Sequence, residues 1–306
     1  MRLVSSVSKM QALGCRLRRE GKVVALVPTM GALHEGHLSL MRRARAESDA
    51  LVVSIFVNPF QFGPGEDYQR YPRNLEGDLE LLRPLAPEAV FAPSEKEMYP
   101  AGFGTHVEPH PLAARLEGAF RPHHFRSVAT AVLKLLNIVG PTRAYFGQKD
   151  FQQAAMIRRM AKDLNLHMRV IVCPTVREAD GLALSSRNAY LGVAERRSAT
   201  VLSRSLNRAQ ALFRAGETRG TVLVEAMRAI LETEPSVTVD YCVVVDPGSM
   251  EDVGRAAPGT VALVAARVGS TRLIDNLILG PAGVSDDDLL DLASGACRDS
   301  MSPSKD

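Results

Sequence analysis

Two histidines, a lysine and a Ser-Ser-Arg run stand at positions in this sequence where a polyphosphate could be held. His34 and His37 close the segment Pro28-Thr29-Met30-Gly31-Ala32-Leu33-His34-Glu35-Gly36-His37, where an apolar stretch gives way to the head of a helix. At i, i+3 spacing the two imidazoles share one helix face, and the first turn of that helix presents N–H groups with no partner inside it. Gly31 and Gly36 let the backbone come close to a ligand. Such a pair could donate hydrogen bonds to phosphate oxygens as negative charge builds on a leaving pyrophosphate. The same HxxH could also do no more than cap the helix, or supply two ligands to zinc, for which no third ligand is evident.

Three further segments carry chemistry. Phe146-Gly147-Gln148-Lys149-Asp150-Phe151-Gln152-Gln153 is a second strand-to-helix junction. Lys149 there could act as a point charge on phosphate, and Gln153, one turn on, could bond a small polar substrate; Lys149 and Asp150 could equally be a surface pair. Arg177-Glu178-Ala179-Asp180-Gly181-Leu182-Ala183-Leu184-Ser185-Ser186-Arg187-Asn188 brings two hydroxyls and a guanidinium together on a connection. In Phe56-Val57-Asn58-Pro59-Phe60-Gln61-Phe62, Asn58 and Gln61 are amides among apolar neighbours. They suit a small hydroxylated acid, or could be satisfied amides of a turn.

Positioning these residues falls to a repeated strand–helix pattern. Apolar runs at 22–27, 51–57, 89–92, 143–146 and 168–173 read as strands, and helical spacing covers 6–20, 37–47, 75–82, 125–139 and 151–164. Strands alternating with helices predict an α/β fold with a parallel sheet, in which ligands gather at the carboxyl ends of the strands. The stretch 58–73 is too long for a plain connection and reads as a functional loop. Beyond Asn188, helices near 194–215 and 219–233 precede strands near 237–246, 260–268 and 271–279, the pattern of a smaller α+β domain. The division expected is 1–176, 177–280 as a lid, and a loose tail over 281–306, with a helical turn allowed at 289–292.

The composition narrows the function classes. A net charge of +3 over 306 residues, with scattered basic residues, does not indicate a nucleic-acid binder. The four cysteines form no CxxC pair, which argues against a zinc or disulfide framework and for a reducing compartment. No GxGxxG fingerprint occurs, against NAD binding. No apolar stretch follows a basic start, and no run of about 18 apolar residues exists, so a cytoplasmic protein without membrane partners is expected.

In order along the chain, PTMGALHEGHLSL, FVNPFQF, YPRNLEGDL, HHFRSVATAVLKLLNIV, FGQKDFQQ and VREADGLALSSRNAYL resemble the motifs of the pantoate–β-alanine ligases (pantothenate synthetases). That family lies within the HIGH-type nucleotidyltransferases: HEGH at 34–37 looks like the superfamily's first signature, and LSSRN at 184–188 resembles its KMSKS loop. TRLIDN at 271–276 is similar to the family's C-terminal strand. The resemblance implies a Rossmann-like N-terminal domain, a homodimer, and pantothenate made from pantoate, β-alanine and MgATP through a pantoyl-adenylate. Carried over by position, Met30, Gly31, Ala32, Leu33, His34, Glu35, Gly36 and His37 would bind ATP. So would Gly147, Gln148, Lys149, Asp150, Val176, Leu184, Ser185, Ser186 and Arg187. His37 would be the proton donor, Gln61 would contact pantoate and β-alanine, and Gln153 pantoate.

The chain departs from the family pattern at four places. Phe60 stands where a smaller or more flexible residue is usual, Leu184 replaces methionine, and Ser127 replaces glycine. Gly77-Asp78 replaces a paired acid seen in some relatives, which leaves Asp78 as the acid available for magnesium there. Other nucleotidyltransferases of the same fold, a non-catalytic nucleotide sensor and an RNA-binding protein are the alternatives. The FVNPFQF and GQKDFQQ segments, the full set of phosphate-facing residues, and the chain length respectively stand against them.

Overall fold

The computed structural model describes residues 1–109 and 111–294. Six strands form one sheet: β1 (Arg2–Val4), β2 (Val24–Thr29), β3 (Ala50–Ile55), β4 (Ala89–Phe91), β5 (Arg143–Gly147) and β6 (Arg169–Cys173). They lie in the order β1-β4-β3-β2-β5-β6, and every pair is parallel. Between them run α1 (Val7–Arg19), α2 (Glu35–Ala46), α3 (Leu75–Leu82), the short α4 (Glu95–Met98) and α5 (Glu117–Phe120), α6 (His124–Val139) and α7 (Phe151–Asp163). From β2 the chain works outward to β3 and β4 on one side, then returns to β5 and β6 on the other. The strand order therefore reverses between β2 and β5, the crevice where open parallel sheets bind ligands.

Burial explains why these segments became strands. In β2, Val24, Ala25, Leu26 and Val27 are all without solvent exposure, as in a sheet covered on both faces. Helix α2 lays Leu40, Met41 and Ala44 on one face of it, together with Leu51, Val53 and Val90. Burying Leu40 and Met41 contributes about 1.5–3 kcal/mol each. The far end of α2 is tied to β5, where the Tyr145 hydroxyl donates to Glu47 Oε2 (2.8 Å) and Arg143 Nη1 to the Glu47 carbonyl (2.6 Å). Both ends of α2 are thus held at the sheet, and its N-terminus is fixed beside the crevice.

Two elements differ from the sequence reading here. Helix α2 starts at Glu35, ahead of the expected 37, so His34 is its N-cap residue and His37 lies in its first turn. The edge strand β1 was not expected; its three residues pair only with β4. The 58–73 stretch holds two 3-10 turns, Pro59–Gln61 and Asp67–Gln69.

The chain divides into two compact units between Tyr190 and Leu191. The expected boundary at 176 is therefore corrected, because 177–190 folds with the first unit. Arg177 and Ala183 form an antiparallel bridge, and Tyr190 donates to the Arg70 carbonyl (3.2 Å). The second unit contains α8 (Val193–Ala199), α9 (Val201–Arg214), α10 (Gly220–Leu231) and an antiparallel sheet of β7 (Val237–Val245), β8 (Val261–Val268) and β9 (Thr271–Ile278). The stretch expected as a loose tail is also corrected in part. It contains α11 (Asp286–Ser294), which buries Leu289, Leu290 and Ala293. Residues 295–306 lie outside the described residues. Among the described residues, no helix is long and apolar enough to cross a membrane.

Candidate active site

The loop leaving β2 is built around a buried carboxylate. Asp78, from α3, accepts the N–H of Ala32 at Oδ2 (3.0 Å) and of Leu33 at Oδ1 (2.8 Å) and is 3% exposed. Burial raises its pKa and the two N–H groups oppose that rise. Gly31 has φ +80°, and a Cβ there would stand 2.8 Å from Asp78 Oδ2, so only glycine fits. Ala32 follows with φ +50°, a left-handed conformation that alanine adopts at a cost the Asp78 bonds offset. The acid left by Gly77-Asp78 is therefore an anchor for the loop, its oxygens turned to backbone.

Asp78→Ala leaves two donors, the buried Leu33 N–H and the part-buried Ala32 N–H, without this partner. It should lower the unfolding free energy by roughly 1–3 kcal/mol. A shifted denaturant midpoint at unchanged slope would read this out, with Asp78→Asn falling between the variant and the parent.

His34 and His37 lie at the head of α2 with ring centroids 4.1 Å apart. The His34 backbone N–H points to His37 Nδ1 at 3.4 Å. With Nδ1 accepting, a neutral His37 carries its proton on Nε2. Burial, then His34 and Lys149, lower the His37 pKa to about 3. His34 is lowered too, by burial and then by Lys149, with Asp150 opposing. Its Nδ1 is buried and finds no hydrogen-bond partner among the described residues. A Cβ on Gly36 would come within 2.9 Å of His34 Cε1, so glycine is what lets that ring lie across the helix start. Both imidazoles are therefore neutral donors rather than stored positive charge.

Lys149 sits in the 3-10 turn Gln148–Asp150 that joins β5 to α7. Its charge is among the causes that lower both histidine pKa values, so the GQKD turn and the head of α2 are neighbours across the switch point. The 184–187 segment joins them: Ser186 Oγ donates to the Ala32 carbonyl (3.2 Å), and a Cβ on Gly36 would lie 3.6 Å from Leu184 Cβ. Leu184 N–H donates to the Val176 carbonyl (3.0 Å). Arg187 is gripped by Asp67 through Nε (2.9 Å) and Nη2 (3.0 Å). Burial works to lower the Arg187 pKa, but Asp67 outweighs it and the pKa rises. Asp67 did not stand out in the sequence, and Asp78 did so only as an acid for magnesium, since each acts on residues far along the chain.

Gln61 ends the first 3-10 turn with its side-chain amide against Met30 Sδ, which puts it beside the β2 loop. Asn58 is 2% exposed; its Oδ1 accepts from the Tyr99 hydroxyl (2.9 Å) and its Nδ2 donates to the Ser127 carbonyl (3.2 Å). It is a turn amide, the alternative left open by the sequence. Gln153 is half-buried in the first turn of α7, and Glu35 faces solvent, paired with Arg42. Phe60 is exposed and packs edge-on against Tyr99 at 4.7 Å. Ser127 Oγ donates to the His123 carbonyl (3.1 Å). Among the described residues no group of His, Cys, Asp and Glu is arranged to hold a metal ion, and Asp78 is committed to backbone. No residue is assigned to Mg2+.

The family model described as pantoate-beta-alanine ligase matches residues 2–278. The pantothenate synthetase of Roseiflexus castenholzii is 56% identical over 279 residues, covering 91% of this chain and 99% of that protein. The one from Acidobacterium capsulatum is 58% identical over 257 residues, covering 84% and 86%. Among solved structures, pantothenate synthetase from Thermus thermophilus superposes with a TM-score of 0.87 at 46% identity, covering 91% of this chain and 99% of that one. Pantoate-beta-alanine ligase from Francisella tularensis, complexed with beta-gamma ATP and beta-alanine, gives 0.76 at 34% identity, covering 91% and 97%. With its sheet, its loops and nearly the whole of its relatives' length in common, the chain belongs to the pantoate–β-alanine ligase family and is a ligase that forms pantothenate.

Proposed function

We propose that the ligase works through a pantoyl-adenylate formed at the β2/β5 switch point. A pantoate carboxylate oxygen attacks the α-phosphorus of ATP, and the bond to the bridging oxygen breaks, so pyrophosphate leaves with the electron pair. The β-alanine amine then attacks the acyl carbon, the bond to AMP oxygen breaks, and the amine proton passes to solvent. Supporting this reading above all is the placement of Lys149 with neutral His34 and His37 at the head of α2. Donors held in place before charge develops on phosphate stabilise the departing group without reorganising. Neutral His37 gives a hydrogen bond through Nε2–H and keeps its proton, so positioning and charge stabilisation carry the step.

In this reading ATP lies along Met30–His37, Gly147–Asp150, Val176 and Leu184–Arg187. An incoming phosphate competes with Asp67 for the Arg187 fork. Gln61 and Gln153 take the pantoate, with Gln61 also meeting β-alanine; the Francisella protein's complex supports ATP and β-alanine as ligands of the fold. Mg2+ travels with the ATP phosphates. A cytoplasmic homodimer completes the reading, on family membership alone.

Labelled pyrophosphate should exchange into ATP when pantoate is present and β-alanine absent. Exchange that strictly required β-alanine would overturn the stepwise route.

A further inference from the structure

The HHFR segment that leads into α6 has no role in the reading above, yet it holds the loop that carries Gln61. The Gln61 carbonyl receives two donors, His124 Nδ1–H at 2.9 Å and Arg121 Nη2 at 3.2 Å. Arg121 also donates from Nη1 to His124 Nε2 (3.1 Å), so the imidazole accepts on one side and donates on the other. Glu66 fixes Arg121 in turn, with both of its oxygens 2.7 Å from the guanidinium. Burial and Arg121 lower the His124 pKa to about 4, against the pull of the Gln61 carbonyl, Glu117 and Glu66. The ring is therefore neutral, with its tautomer set by the two neighbours. His123, in a left-handed conformation at φ 69°, turns the chain so that His124 can face the Gln61 turn.

We propose that His124 and Arg121, clamped by Glu66, are positioning residues that hold the Gln61 carbonyl and thereby set recognition of the pantoate acid. This rests on the assignment of Gln61 to pantoate. The loop is a single 3-10 turn over Pro59–Gln61, tied at its start by Asn58 to Tyr99 and Ser127, while Phe60 within it is exposed. At the Gln61 end the backbone carbonyl is held by the two donors from the α6 side. Neither residue touches substrate in this scheme; they act through Gln61 alone.

The two ring nitrogens can be separated by substitution. His124→Asn keeps an N–H where Nδ1 stands, and His124→Gln replaces Nε2 while removing the donor to Gln61. Pantoate-dependent pyrophosphate exchange should show the pantoate KM of His124→Gln raised roughly ten- to a hundredfold, with the ATP KM within about twofold. His124→Asn should remain within about threefold of the parent in both. In a Gln61→Ala background, adding His124→Gln should raise the pantoate KM no further, since both changes remove one contact. Should His124→Gln fold poorly by its melting curve, Arg121→Lys, which cannot make the forked contact, should produce the same pantoate-selective rise. The proposal is overturned by parallel rises in both KM values, by an unchanged pantoate KM, or by additive effects in the Gln61→Ala background. A Gln61→Ala variant with normal pantoate KM would instead remove the assignment of Gln61 beneath it.

Discussion

Lys149→Ala should reduce pantoate-dependent pyrophosphate exchange by about 10²–10³, equivalent to roughly 3–4 kcal/mol of transition-state stabilisation. The reason lies in where β5 ends. The turn after Gly147 sets Lys149 beside the head of α2, close enough for its charge to depress the pKa of both His34 and His37. A cation there meets the negative charge that moves onto pyrophosphate as the bond to the α-phosphorus breaks. The second half-reaction, begun from supplied pantoyl-adenylate, should be affected much less, because pyrophosphate has already left. Stability should change by about 1 kcal/mol or less, since the side chain is half-exposed. A second readout is independent of turnover: without the lysine charge, both histidines should titrate at higher pH by NMR. A folded variant with near-normal exchange and unmoved histidines would take Lys149 out of the site and leave it a surface partner of Asp150.

Why the sequence disclosed one part of this arrangement and withheld another follows from the range of the interactions. β2 and β5 were visible because an apolar run covered on both faces looks the same in any context. The ends of those runs, at Thr29 and Gly147, located the two loops that meet at the switch point. β1 was hidden because two of its three residues are exposed and its place is set by β4, some way along the chain. The same holds for the residues that shape the site. Asp78 matters through Ala32 and Leu33, Asp67 through Arg187, and His124 through Gln61, and no local pattern records such pairings. The segment 177–190 had the texture of a domain boundary, rich in polar residues. Its bonds instead include Asn188 Nδ2 to the Glu178 carboxylate (3.0 Å) and to the Ala183 carbonyl (3.1 Å), besides the Arg187–Asp67 pair. Asn58 shows the converse. An amide in an apolar turn has the same appearance in sequence whether it awaits a ligand or, as here, is bonded to Tyr99 and Ser127.

His37→Ala should lower kcat/KM by about 10²–10³, with His37→Gln recovering much of the loss because its amide places an N–H where Nε2–H stands. The comparison separates a hydrogen-bond donor from a proton donor. A residue that had to give up its proton would leave an ionisation in the free enzyme's pH profile near its pKa. Held at about 3, His37 leaves none between pH 5 and 9. The same depression makes stability depend on pH. Above pH 6.5 the ring is neutral both folded and unfolded, and contributes no pH dependence. Between 6.5 and about 3 the unfolded chain takes up a proton that the folded protein refuses, so stability falls as pH falls. Over the middle of that window, one such proton corresponds to a slope of about 1.4 kcal/mol per pH unit. Denaturant unfolding from about pH 6 to pH 4 should therefore be less steep in pH for His37→Gln than for the parent, by about that amount. His124, lowered to about 4, keeps its own share of the slope in the variant. An unchanged slope, together with a limb near pH 6.5 in the parent's kcat/KM profile that vanishes in His37→Gln, would show His37 titrating in the folded enzyme. The proton-donor role would then stand, and the hydrogen-bond role would fall.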